Sequence, residues 1–547
     1  MATAPIAERV LNASRAHIEA LGDQAEDAFY TIDLRHVASQ YRRMVTLLSR
    51  VLPFYTVKCH PDTRVLALLA TLGAGVDCAS QSEVAMSLNH GVPPERIIFA
   101  NTMKQRSHLR FAREHDVPLM TFDSSDELLK IQRVFPEAKL VLRIQVDDSK
   151  ARHQFGPKFG TPMADVPALL ETAKRLGLDV VGVCFHVGVG VLEASAFVDA
   201  IVRAKQVFAM GLDAGYQFSL LNLGGGFAGD DHGPVTFESA AKAINEVLDD
   251  LFPETSGVKI ISEPGRYFVS SCATLTVNVV GRKIDPELTA RAQASADEAH
   301  TELPRYMYVV NDSKHGSFSA PHLCPVPTPV VLKTTTSEDK SKLVPCSLWG
   351  PSMDGKDVIT RETSLPVLNV GDWITFPRLG AYSFATGSTF NGVPWAVTAL
   401  VAGLVLASAS AQLLGGNEVN AVQLAEAFES SRNENATQRL DDSVAPAVLE
   451  SAMIAPSEGT DSRVLEQADA SPTASLGTNA QTKIGLPYGG ALVAVEATAL
   501  LVGGATIVVL IGAKMKARAA LEQYQEADEI DPMLQSLLYS DMDYAAI

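Results

Sequence analysis

Residues 180–188 read VVGVCFHVG, an apolar, β-branched run closed by a histidine and a glycine. Seven further runs of this kind surround it: PFYTVK (53–58), GVDCAS (75–80), RIIFAN (96–101), LMTFDS (119–124), KLVLRIQV (139–146), FSLLNLGGGF (218–227) and KIISEPGRY (259–267). Stretches with helical spacing separate them, among them DELLKIQRVF (126–135) and AFVDAIVRAKQVFAM (196–210). Near-continuous apolar strands joined by helices are the mark of a parallel sheet buried on both faces. Eight such units in this span predict a closed (β/α)8 barrel, with an open doubly wound sheet as the alternative.

A barrel places its chemistry at the carboxyl ends of its strands. Here those ends carry Lys58, Asp77, Asn101, Asp123, Arg143, His186, the run Gly224 to Gly226, and Glu263. After Arg266 the pattern changes to strands without long helices: TLTVNVVGRKI (274–284), RYMYVVND (305–312), PVVLK (329–333) and VLNVGDWITF (367–376). They predict an antiparallel β domain, to which AFYTIDL (28–34) adds a strand. The expected organisation is an N-terminal segment (1–27), the barrel (28–267), the β domain (268–416), an Asn-, Ser- and Glu-rich linker (417–483), a candidate membrane-spanning helix (484–513) and a tail (514–547).

The candidate span has Glu496 as its only charge and is long enough to cross a hydrocarbon layer of about 30 Å. Lys514, Lys516 and Arg518 follow it, which would keep the tail on the cytosolic side. A buried hairpin of small residues is the competing reading, and the shorter uncharged run 396–416 reads equally as a core element. The chain's start has no apolar core of signal-peptide length. Six scattered cysteines without CxxC pairs suit free thiols in a reducing compartment and offer neither a disulfide framework nor a metal site. A cytoplasmic protein is expected, anchored to a membrane if 484–513 spans. With 63 acidic against 45 basic residues the formal charge is −18, which opposes nucleic-acid binding.

Lys58 sits among apolar neighbours at a strand end, where burial would lower its pKa and make the amine a better nucleophile toward an aldehyde. A lone lysine there is ordinarily solvated. His186 alone would be a core histidine, and the glycine run a packing turn. Taken together the group reads differently: Glu263 can pair with a protonated pyridine nitrogen, His186 can stack on a ring, and GGGF with EPGR offers amides and a cation to a phosphate. That constellation suits pyridoxal 5'-phosphate.

PFYTVKCHPD, GVDCASQSE, GVPPERIIFAN, KLVLRIQVDDSKA, FHVG, LGGGF, EPGRYFVSS, WGPSMDG and GAYSFATGSTFNG resemble, in order and spacing, the eukaryotic ornithine decarboxylases over roughly residues 28–394. The resemblance implies a pyridoxal phosphate barrel followed by a β domain, working as a homodimer with shared active sites and making putrescine from ornithine. It implies that Lys58 is the Schiff-base lysine, Glu263 the partner of the pyridine nitrogen and His186 the stacking residue. Gly225, Gly226, Pro264, Gly265, Arg266 and Tyr382 would line the phosphate site, Asp77 and Arg143 would support the cofactor, and Asp354 would hold the substrate's distal amine.

Three departures bear on activity. The family's proton-donating cysteine is Met353 here, a thioether with no proton to give. Its phosphate-binding serine is Val189, and its Tyr-Asp pair for the substrate amine is replaced by Leu323 and Cys324. CSLWGPS (346–352) and LNVGDW (368–373) also read close to the antizyme inhibitors, relatives that act as decoys. Two alternatives to an ornithine decarboxylase therefore stand: a decoy protein that engages an antizyme-like regulator, and a decarboxylase of a less polar amino acid.

Overall fold

The computed structural model describes residues 6–22, 25–229, 233–294, 305–322, 325–334 and 342–400. Leu323, Cys324, the linker 417–483, the candidate span 484–513 and the tail 514–547 lie outside these residues. Among the described residues no helix is long and apolar enough to cross a membrane.

The eight apolar runs form eight parallel strands, Val51–Thr56, Gly75–Cys78, Ile97–Phe99, Leu119–Phe122, Lys139–Arg143, Asp179–Cys184, Leu220–Asn222 and Lys259–Ser262. The last pairs with the first, so the barrel closes and the open-sheet alternative falls. Phe54, Ile98, Val141, Cys184, Leu220 and Ile261 fill its interior. Gly75 makes room for this filling, because a Cβ there would come within 2.6 Å of the Phe54 ring. Helices between the strands cover the outside with one apolar face each; Leu128 and Ile131 of Ser125–Val134 are fully buried. Side-chain caps start several of them, Asp62, Ser80 and Ser124 each accepting backbone N–H bonds of the first turn.

The second domain is an eight-stranded sheet whose hub is the long strand Ala273–Ile284. As expected, Phe29–Ile32 joins it, antiparallel to Ala273–Thr276. The sheet is mixed, however, and the antiparallel expectation needs correction at two pairs. Tyr306–Val310 runs parallel to Leu343–Trp349, and Phe29–Ile32 runs parallel to Val397–Leu400. The first follows from connectivity: between its two strands the chain leaves to build Val330–Lys333 against Trp373–Phe376, and so returns in the same direction. A two-stranded ribbon, Ala151–His153 with Val189–Val191, stands apart from both sheets. It comes from segments that follow the fifth and sixth barrel strands.

Candidate active site

The mouth of the barrel is a cavity of about 1090 Å³. Lys58, Asp77, Asn101, Arg143, His186 and Glu263 all line it, as do Gly225, Gly226, Gly265, Arg266 and Tyr382. Seven of the eight strand ends therefore converge. Asp123 does not line the cavity: it accepts the Gly160 N–H at 2.9 Å and pins the loop that follows the fifth strand.

Lys58 lies in the single 3-10 turn Val57–Cys59 that ends the first strand. Thr56 pairs with Asp77 in register, so the lysine is set beside the neighbouring carboxylate, and its Nζ donates to Asp77 Oδ2 at 2.8 Å. Burial opposes the ammonium, but Asp77, Tyr382 and Glu263 outweigh it and hold the pKa above the ordinary lysine value. The expectation of a lowered pKa is thus corrected, and the cause is the carboxylate at contact distance. Asp77 is 1% exposed, and its Oδ1 is buried without a hydrogen-bond partner, which leaves the site one acceptor short of satisfaction.

Glu263 ends the eighth strand. Asn222, at the end of the seventh, donates to its Oε1 at 2.7 Å, and burial followed by the nearby Asp77 raises its pKa to about 7. Sequence reasoning missed Asn222, although its place at the end of the apolar run LLN was the available signal. His186 goes the other way: burial, then Arg143 and Lys58, lower its pKa to about 3, so the ring is neutral. Gly188 donates its N–H to His186 Nδ1 at 3.2 Å, and Phe155 meets the ring edge-on at 4.7 Å. A Cβ on Gly225 would come 2.9 Å from His186 Nε2, so glycine there leaves the ring in place.

The two glycine-rich turns are stitched to this group. Glu263 N–H donates to Gly224 carbonyl at 2.7 Å, and Thr56 N–H donates to Pro264 carbonyl at 3.2 Å, which is the contact Pro264 makes. Gly224 and Gly226 have φ of +62° and +101°, and a Cβ on Gly226 would come 2.9 Å from Gly188 carbonyl. Both the backbone conformation and the approach require glycine. A Cβ on Gly265 would lie 2.9 Å from that of Cys59. Tyr382, itself at φ +53°, donates its N–H to Cys59 carbonyl at 2.9 Å, and the Arg266 guanidinium lies 5.3 Å from its ring. Arg143 caps the rings of Phe159 and Phe155 at 4.6 and 5.8 Å.

Met353 and Asp354 are not brought into this cavity. Met353 is 88% exposed, on a loop held by Asp357, which accepts the N–H and hydroxyl of Ser352. Asp354 Oδ2 lies 2.9 Å from His315 Nε2 and 3.4 Å from Lys314 Nζ. His315 was also missed; it lies in NDSKHGSF (311–318) and shows no pattern of its own.

These residues fit pyridoxal phosphate: a lysine and two carboxylates at one mouth, an unpaired buried acceptor, a flat neutral ring, and glycine turns that side chains would fill. A family model described as "Pyridoxal-dependent decarboxylase, pyridoxal binding domain" matches residues 34–270. The chain is 44% identical over 367 residues to ornithine decarboxylase of Rattus norvegicus, covering 67% of this chain and 79% of that one. It is 44% identical over 369 residues to antizyme inhibitor 2 of Xenopus laevis, with the same coverage. Among solved structures, the arginine decarboxylase of Paramecium bursaria Chlorella virus superposes with a TM-score of 0.64 at 34% identity, covering 71% of this chain and all of that one.

Proposed function

Since the chain belongs to the ornithine decarboxylase family of pyridoxal-dependent decarboxylases, we propose that it removes the α-carboxyl group of a basic amino acid, with ornithine as substrate and putrescine as product. The observation that carries this reading is the meeting of Lys58, Asp77, His186 and Glu263 at one barrel mouth. Lys58 would hold the cofactor's aldehyde, the glycine turns with Arg266 and Tyr382 its phosphate, and Glu263 its ring nitrogen. Bound there, the cofactor supplies a ring that accepts the electron pair left when carbon dioxide departs.

The chain's own groups set the conditions for that step. Asp77 keeps Lys58 protonated, so the amine waits as a paired ammonium. His186, uncharged at neutral pH, offers a flat face that adds no positive charge beside the ring. Glu263, with one oxygen held by Asn222, keeps the other for the ring nitrogen. A chain of net charge −18 also favours the approach of a dibasic amino acid.

The exposed loop of Met353 and Asp354 supports a homodimer in which each chain completes its partner's site, as the resemblance implies. Met353 then stands where a proton donor is required, and the α-carbon would be protonated less selectively. The second reading, a decoy that engages an antizyme-like regulator, draws on the same methionine and on the antizyme inhibitor relative. Anchoring through 484–513 remains part of the proposal and is tested by fractionation of the full chain against a chain ending at 483.

Carboxyl-labelled ornithine, lysine and arginine separate the catalytic readings. Carbon dioxide released from ornithine, and abolished by Lys58→Ala, is the expected result. No release from any of the three at saturating cofactor would leave the decoy reading.

A further inference from the structure

The ribbon of Ala151–His153 and Val189–Val191 lines the cavity through Arg152, His153, Val189, Gly190 and Val191. Its register pairs Ala151 with Val191 and His153 with Val189. Directly opposed and alternate residues of an antiparallel pair share a face, so these four side chains point the same way. That face is turned toward Gly226, because Val191 Cγ2 lies 3.5 Å from where a Cβ on Gly226 would stand. On the other face, the Arg152 side chain runs over Gly190, with its Cδ 3.3 Å from where a Cβ would be, and both residues also line the cavity.

Three of the four side chains facing Gly226 are apolar, and the fourth is His153. Its imidazole is half-buried, lines the cavity beside Val189, and makes no hydrogen bond among the described residues; its ring contact is with His322, 6.4 Å away and nearly perpendicular. Gly225, Gly226, Gly265 and Arg266, which would hold the phosphate, line the same cavity.

We propose that His153 is a phosphate-binding residue, the side-chain donor that the ribbon's Gly226-facing side offers to the cofactor's phosphate, doing from position 153 what valine cannot do at 189. The proposal rests on the cofactor reading above. A hydrogen bond to a charged oxygen implies roughly a tenfold to hundredfold effect on affinity, confined to ligands that carry the phosphate.

The test titrates the full chain with pyridoxal 5'-phosphate and with pyridoxal, following the bound cofactor's visible absorbance. His153→Ala should lose roughly tenfold to hundredfold for the phosphorylated form and leave pyridoxal binding unchanged, which also reports that the variant is folded. Val189→Ser added to His153→Ala should restore most of the loss, since the two positions are cross-strand neighbours. Arg152→Ala, which removes the ribbon's other cavity-lining donor from its opposite face, should keep the parent's preference if His153 holds the phosphate. Unchanged affinity in His153→Ala, an equal loss for both ligands, or transfer of the effect to Arg152→Ala would overturn the assignment. A parent chain that binds neither ligand would overturn the cofactor reading itself, a result distinct from any of these.

Discussion

Burial of Glu263 beside Asp77 raises its carboxyl to about 7, against roughly 4.3 in an unfolded chain. Between those values the folded chain holds a proton that the unfolded chain has released. Stability from this group is therefore present at low pH, falls as pH rises through the window, and is fully lost above about 7. Glu263→Gln removes the penalty. The cofactor-free variant should melt at a higher temperature than the parent at pH 8, with a smaller gain at pH 5, while binding pyridoxal phosphate more weakly. Thermal scans at both pH values, with and without cofactor, check it; equal melting at pH 8 would show that Glu263 is not strained when the site is empty. Lys58 and Glu263 were legible because each ends a continuous apolar run. Their protonation was not, since it depends on Asp77 and Asn222, which adjoin them only once strands are in register.

The same logic of paired burial holds an element in place on the barrel's flank. Lys104 has no exposed side-chain surface; its Nζ donates to the carbonyl of Thr121 at 2.7 Å and of Asn101 at 3.0 Å, and lies 2.9 Å from Glu127 Oε1 in the first turn of Ser125–Val134. Burial lowers its pKa to about 8. Glu127→Gln would take the carboxylate from this ammonium, and because the amine can shed its proton instead, the charge cost at pH 7 is limited to about 1.4 kcal/mol. Urea unfolding at pH 7 should show a deficit of that order, narrowing as pH rises above 8, where the folded parent's lysine is neutral as well, although the unfolded chain keeps this proton to about pH 10.4. A deficit independent of pH would mean that lost packing, not charge, sets the effect. Nothing in KQRSHL (104–109) announces this lysine as buried, for its partner lies in the next helix. Scale also explains the ribbon: three residues per strand are too few for alternation to register, and its pairing joins segments on either side of a helix. The eight barrel strands were legible because burial on both faces leaves a run of apolar residues that no local competitor imitates.

The β domain was read as antiparallel throughout, yet two of its pairs run parallel, because alternation reports which face is buried and says nothing about chain direction. Its consequence for the whole molecule lies in the loop 350–357. Residues WGPSMDG continue the resemblance, yet the chain's own barrel cavity includes neither Met353 nor Asp354. If a second copy supplies them, each site needs Lys58 from one chain and Asp354 from the other. Lys58→Ala and Asp354→Ala should then both be inactive alone. Mixed after partial unfolding, half of the pairs would combine the two variants, and one of the two sites in each such pair would be intact. Random exchange therefore restores about a quarter of the parent's activity. Monomeric sites would give no recovery at any ratio, since no single chain in the mixture carries both residues. The recovered fraction should also peak at equal amounts and fall toward either pure variant, a dependence that incomplete inactivation of one variant would not produce.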